Sequence, residues 1–243
     1  MRASAAAAPA IPEDVQASDL DRAARARLRT LSRENADGVA QHLVMAGRLL
    51  DEEPELAYEH AQAAVRRAGR VDVVREAAAI TAYRTGRYAE ALRELRTVRR
   101  LNGSDEHLPL MADCERGLGR PDRALALAQE DGARDLPDEL KAELAIVVSG
   151  ARVDLGDPDA ALGVLSPYVT PGLDPELSIR VAEARASALT AAGREDEAAQ
   201  VLRTARPGGA EKEDVVVFDL EDDLPADDGP ASRGPVRSAG EER

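Results

Sequence analysis

Along this chain a small residue followed by a large apolar one returns at nearly equal steps, each time just after a turn. The small residue falls at Ala57, Ala91, Ala124, Ala161 and Ala198, so the steps run from 33 to 37 residues. Two of the copies read Tyr88-Ala89-Glu90-Ala91-Leu92 and Pro158-Asp159-Ala160-Ala161-Leu162. A period in the mid-thirties, with helix-forming residues inside each unit, predicts stacked helical hairpins rather than one core assembled from distant segments. Such an array presents an extended surface and rarely a reaction centre.

Composition agrees with helices. Aromatic residues make up 2% of the chain, Trp is absent and Phe218 is the only Phe. A sandwich or barrel fills its core with β-branched and aromatic side chains, whereas Ala and Leu favour helices at close range. Punctuation between the helices is regular. Gly86, Gly119, Gly156 and Gly193 each follow a predicted first helix, and Pro121, Pro158 or an acidic residue opens the second. Gly ends a helix in the left-handed conformation, and Pro at the first helical position restarts one. Helices are expected over residues 18–31, 34–50, 54–67, 71–85, 88–101, 106–118, 121–130, 137–155, 158–168, 175–192 and 195–205. Residues 1–17, rich in Ala and Pro, read as a disordered leader, with Ser18 expected to cap the first helix.

The repeated residues resemble tetratricopeptide repeats. The second unit carries the pattern at Ala79, Gly86, Tyr88, Ala91, Leu95 and Val98, and the third at Ala112, Gly119, Ala124 and Ala128. The fourth carries it at Ser149, Gly156, Ala161 and Leu165, and the fifth at Ala186, Gly193, Ala198 and Leu202. The first unit diverges, with Met45 at the small position and no turn glycine. The family's helix-A Trp is missing throughout, and its closing Pro is absent or displaced. The resemblance covers about residues 38–205 and implies an all-α, right-handed solenoid of antiparallel hairpins spanning residues 18–205. It also implies a concave groove lined by the first helix of each repeat. By that register the groove residues are His42, Ala46, Leu49, Glu76, Ile80, Tyr83, Asp113, Arg116, Ile146, Val153, Arg180, Glu183 and Thr190. Tetratricopeptide proteins are interaction scaffolds, so the implied role is non-enzymatic binding of a peptide or partner protein. One subclass grips the C-terminal carboxylates of heat-shock proteins with Lys, Asn and Arg. This chain carries Ala or apolar residues at several such places, and that activity is not expected. Its Arg- and Ala-rich make-up with an acidic tail is similar to cytoplasmic repeat proteins of high-GC bacteria.

Charge is unevenly spread over a chain of formal net charge −14. Residues 66–100 are rich in Arg, and residues 206–243 are acidic and expected to be disordered. The Arg band offers an alternative role, binding RNA or an acidic ligand. The bland reading is a solvated surface partly paired with Glu90 and Glu94 at helical spacing. Overall acidity and the scarcity of stacking aromatics make nucleic acid the poorer partner. An apolar island interrupts the tail at Val215, Val216, Val217, Phe218 and Leu220. It is expected to dock in extended form, either on this chain with its acids toward the Arg band or on another protein.

No catalytic or metal site is expected. His42, His60 and His107 lie apart, without Cys or paired carboxylates at ligand spacing, and read as surface or groove residues. Cys114, the single cysteine, reads as helix packing in a reducing compartment, which excludes an intramolecular disulfide framework. Gly117-Leu118-Gly119-Arg120-Pro121 follows a helix rather than a strand and lacks the Lys-Ser/Thr ending, so it is a turn and not a phosphate loop. No cofactor is called for. No run reaches the length of a membrane span, and the first ten residues make a weak secretory signal, so the expected location is cytoplasmic.

Overall fold

In a computed structural model, residues 8–169 and 172–206 are described. Among them twelve α-helices and three short 3-10 turns account for the regular structure, and no strand forms. A short helix α1 (Arg22–Arg27) precedes the first hairpin, α2 (Arg33–Leu49) with α3 (Pro54–Ala68). The second hairpin pairs α4 (Asp72–Arg84) with α5 (Tyr88–Asn102), and the third pairs α6 (Leu108–Gly117) with α7 (Pro121–Ala128). After the single turn α8 (Asp131–Arg134) come α9 (Asp138–Asp154) with α10 (Pro158–Leu165), and α11 (Pro175–Ala191) with α12 (Glu195–Ala205). Neighbouring hairpins are joined by packing of α3 on α4, α5 on α6, α7 on α9 and α10 on α11. The first helices also touch one another, α2 against α4, α6 against α9 and α9 against α11.

The turns follow from their glycines. Gly86 has φ of 71°, a conformation that costs an L side chain but not Gly. There Arg87 N donates to Ala82 O at 2.8 Å, closing the six-residue loop that satisfies a terminal helix carbonyl. The same closure recurs from Arg120 to Glu115, Asp157 to Arg152 and Arg194 to Leu189, at 3.0, 2.9 and 2.9 Å. The first hairpin lacks a turn glycine and turns instead on Glu53 N bonded to Leu49 O at 2.8 Å, with Pro54 opening α3.

The recurring alanines sit where helices cross. Ala57, Ala91, Ala124 and Ala161 are fully buried and Ala198 nearly so. The absence of larger side chains there lets large neighbours such as Leu95 and Leu165 fill the space between helices. Ala79, Ala82, Ala91, Leu92, Leu95, Met111 and Cys114 form one such cluster across α4, α5 and α6.

Two expectations near the N-terminus are corrected. Residues 8–17 are not a free leader: Val15 is 1% exposed and packs with Val44 and Met45, alongside Ile11 and Leu49. Gln41 Nε2 holds Val15 O at 2.8 Å, and Arg48 pairs with Asp14 and Asp19 at 3.4 and 3.0 Å. Ser18 does not cap a helix. Asp21 does, its Oδ1 accepting from Ala23 N and Ala24 N at 2.7 and 3.2 Å, and these bonds hold its carboxyl below the usual range. Asp21, the acid three residues after Ser18, thus spends its carboxylate on the N–H groups that follow it rather than on Ser18, while Asp19 turns back to accept from Gln16 N at 3.1 Å.

Candidate functional site

The first helices share a face on which α2 meets α4, α9 meets both α6 and α11, and the Tyr83–Asp113 bond links α4 to α6. At its start is a cavity of about 570 Å³ between α1, α2 and α4, closed at one edge by the segment joining α5 to α6. Ala46, Glu76 and Ile80 line it. Its floor is apolar, with Leu43, Ala46, Val73 and Ala77 among its residues. Leu20, Ala23, Ala24 and Arg27 wall the side, and Glu106 stands at the rim. Arg27 Nε reaches Asp72 Oδ1 at 3.0 Å, tying α1 to the start of α4. Burial pushes the Asp72 carboxyl up, but this guanidinium together with the backbone N–H groups of Val73 and Asp72 holds it below its ordinary value.

Farther along, the face is a ladder of charge pairs. The Tyr83 hydroxyl of α4 donates to Asp113 of α6, and burial together with that carboxylate raises the phenol pKa. Arg116 stands 3.6 Å from Asp113 Oδ1 and bonds Asp154 Oδ2 on α9 through Nε at 2.6 Å. Its planar group lies against Gly150, where a Cβ would meet the guanidinium at 2.7 Å. Arg180 of α11 pairs with Glu143 of α9, and Arg206 pairs with Glu183. Arg116, Ile146, Val153, Arg180 and Glu183 share a recess of about 230 Å³, in which Ser149 Oγ is buried without a partner among the described residues.

Not every expected groove residue reaches this face. His42 is a correction: it is 2% exposed, packed between α2 and α3 against His60, itself 1% exposed. Their rings sit 5.2 Å apart with Nδ1 to Nδ1 at 2.9 Å, a hydrogen bond requiring one ring to donate and the other to accept. Burial first, then His60 and the guanidinium charges of Arg67 and Arg66, lowers the His42 pKa to about 4. Burial lowers that of His60 too. Both rings are therefore neutral at pH 7. The expectation of surface histidines fails because the interface of α2 and α3 leaves an aromatic-sized gap that two polar rings fill by satisfying each other. Leu49 is also displaced, packing beside Val15 rather than in the groove. Thr190 is exposed and lines no described cavity.

The Arg band is largely neutralised across helices. Arg75 bonds Glu94 at 2.6 Å, Arg96 reaches Glu115 at 3.0 Å, and Arg99 pairs with Asp105 and Glu130 at 2.6 and 2.7 Å. Arg87 pairs with Glu55 at 2.8 Å and stacks over the Tyr58 ring at 4.3 Å. Arg84 reaches Asp51, and Arg93 lies near Glu90 and Glu94. The island at Val215, Val216, Val217, Phe218 and Leu220 lies outside the described residues.

Cys114 is fully buried, and burial pushes its thiol up to about 12, away from the thiolate form. Among the described residues no group of three His, Cys, Asp or Glu is placed to hold a metal ion, and no described helix is long and apolar enough to cross a membrane. No protein-family model matches the chain, and no curated protein matches it.

Sequence reasoning missed α1 as a wall of the cavity, because the Arg27–Asp72 contact spans 45 residues and has no periodic signature. It also missed Gly47, whose only signal is an isolated Gly within a helical pattern.

Proposed function

We propose that this chain is a tetratricopeptide-like solenoid that binds a peptide segment of a partner protein along the face of its first helices. The observation that carries the reading is the open apolar cavity of α1, α2 and α4 on that face, continued by the recess beside Arg116 and Arg180. A cavity of several hundred Å³ lined by apolar side chains with a few polar groups at the rim is what ligand recognition uses. Supporting the repeat assignment are the four glycine-closed turns and the buried alanines at the helix crossings. The role is binding without chemistry. A cytoplasmic location accompanies it, favoured by the single buried thiol. Binding of RNA or an acidic ligand through residues 66–100 is the weaker reading, because most of those guanidinium groups already face carboxylates.

Affinity purification from the native host tests this with two charge changes. Ile80→Glu places a carboxylate in the cavity. Arg123→Glu changes an exposed residue of α7, away from it. The partner recovered with the unmodified chain should disappear with Ile80→Glu and persist with Arg123→Glu. Equal recovery with both variants would refute the reading.

A further inference from the structure

The cavity of α1, α2 and α4 has a chemical character beyond being apolar. Two acids at its edge have no guanidinium or ammonium partner among the described residues and share one imidazole. Glu76 side-chain oxygen Oε1 has no guanidinium or ammonium partner among the described residues, and its closest basic group is His107 Nε2 at 3.7 Å, outside hydrogen-bond reach. Glu106 is served by that same imidazole, also at 3.7 Å. Asp72, by contrast, is already occupied by Arg27. Burial beside the apolar floor, with Glu106 and Asp72 adding repulsion, raises the Glu76 carboxyl pKa despite His107. A carboxylate half-withdrawn from water without a counter-charge gains from any cation brought to it.

The floor is kept open by residue choice. Gly47 is in α2, on the cavity wall, and a Cβ built there meets nothing within 4 Å. Gly in a helix interior costs stability relative to Ala, so its presence here leaves volume that a side chain would otherwise occupy. Ala23, Ala24, Ala46 and Ala77 keep the walls equally low.

Resting on the binding-face reading above, we propose that this cavity takes a large apolar side chain flanked by an Arg or Lys of a partner protein segment. The apolar side chain fills the space over Ala46 and Ala77, and the cation meets Glu76 and Glu106. Complementarity sets the choice: a segment with acidic flanks would bring like charge to two carboxylates whose basic neighbour is a single shared imidazole.

A random dodecapeptide library displayed on phage and selected on the full chain tests the idea, with two variants as counter-targets. Gly47→Phe fills the cavity from within, and Glu76→Gln removes the charge while keeping the shape. Enriched sequences should pair Leu, Ile, Met or Phe with Arg or Lys within about one helical turn. They should lose binding to Gly47→Phe, whose circular dichroism and urea midpoint stay near those of the unmodified chain. On Glu76→Gln they should weaken about five- to tenfold and show a reduced salt dependence, the Glu106 charge remaining. Enrichment of acidic or uncharged sequences that still require Gly47 would overturn the cation preference and leave the binding face standing. Concentration-dependent self-association abolished by Gly47→Phe would assign the cavity to a second copy of the chain and overturn the proposal. No enrichment on the unmodified chain would overturn both readings.

Discussion

Acid should loosen this protein well above the pH at which its carboxylates titrate, because two neutral histidines are packed together in its first hairpin. An unfolded histidine takes up its proton near pH 6.5, whereas His42 in the folded chain does so at about 4. Its stabilising contribution is therefore complete above the unfolded value and is lost as pH falls toward the folded one. At 1.36 kcal/mol per pH unit, the gap corresponds to about 3 kcal/mol. Stopping at pH 4.5 captures roughly 2–3 kcal/mol of it, and His60 adds loss in the same direction. Carboxylates held low beside guanidinium groups, such as Glu55 by Arg87 and Glu197 by Arg194, surrender their share only at the acid end of this window. Glu76 works the opposite way, since burial raises its pKa, but it is partly exposed and weak in effect. Urea unfolding followed by circular dichroism from pH 7.5 to 4.5 reads the outcome. With a slope of about 2 kcal/mol per molar urea, the midpoint should fall by about 1 M. His42→Gln keeps a donor for His60 without a titrating ring, and should lose at least half of that pH dependence. A flat midpoint in the unmodified chain, or an equally steep one in His42→Gln, would refute the neutral buried pair.

Three further expectations concern the packing. Leu95 is fully buried among Ala79, Ala82 and Ala91, which have little side chain with which to close a void, so Leu95→Ala should cost about 3–5 kcal/mol by urea unfolding. Gly86→Val should cost about 1–2 kcal/mol purely through its backbone, since a Cβ there meets nothing, and Gly86→Asn should cost less. The Glu115 side chain is 2% exposed and is reached by Arg96 at 3.0 Å and Arg120 at 3.5 Å. Arg96→Met should therefore cost about 1–2 kcal/mol, and adding Glu115→Leu should recover part of the loss in a double-mutant cycle.

What could be read without coordinates was the local part of the structure. Gly86, Gly119, Gly156 and Gly193 announce turns because the left-handed conformation excludes most other residues, and the alanines announce crossings because close approach excludes bulk. Both are properties of a few consecutive residues. Long-range contacts had no such signature. Val15 docks beside Met45 from a stretch whose Ala and Pro content resembles unfolded chain, and Arg27 meets Asp72 across the mouth of the cavity. His42 was misplaced because spacing alone does not report which side chains of α2 are covered by α3. Its side chain turns inward to His60 instead of outward beside Ile80. Of the residues singled out from the sequence, Glu76 and Ile80 line the cavity, Arg116, Arg180 and Glu183 line the recess, and Tyr83 bonds Asp113. That Glu76 meets an imidazole and no guanidinium or ammonium group among the described residues depends on side chains distant in sequence and could not be read from spacing.

The central claim is that the first-helix face is where a partner sits. Its most direct test is photo-cross-linking in the native host, with benzoylphenylalanine replacing Ile80 at the cavity or Arg123 on the exposed start of α7. Cross-links to one partner from position 80 and none from position 123 are expected. Equal yields from both positions, or cross-links from position 123 alone, would contradict it.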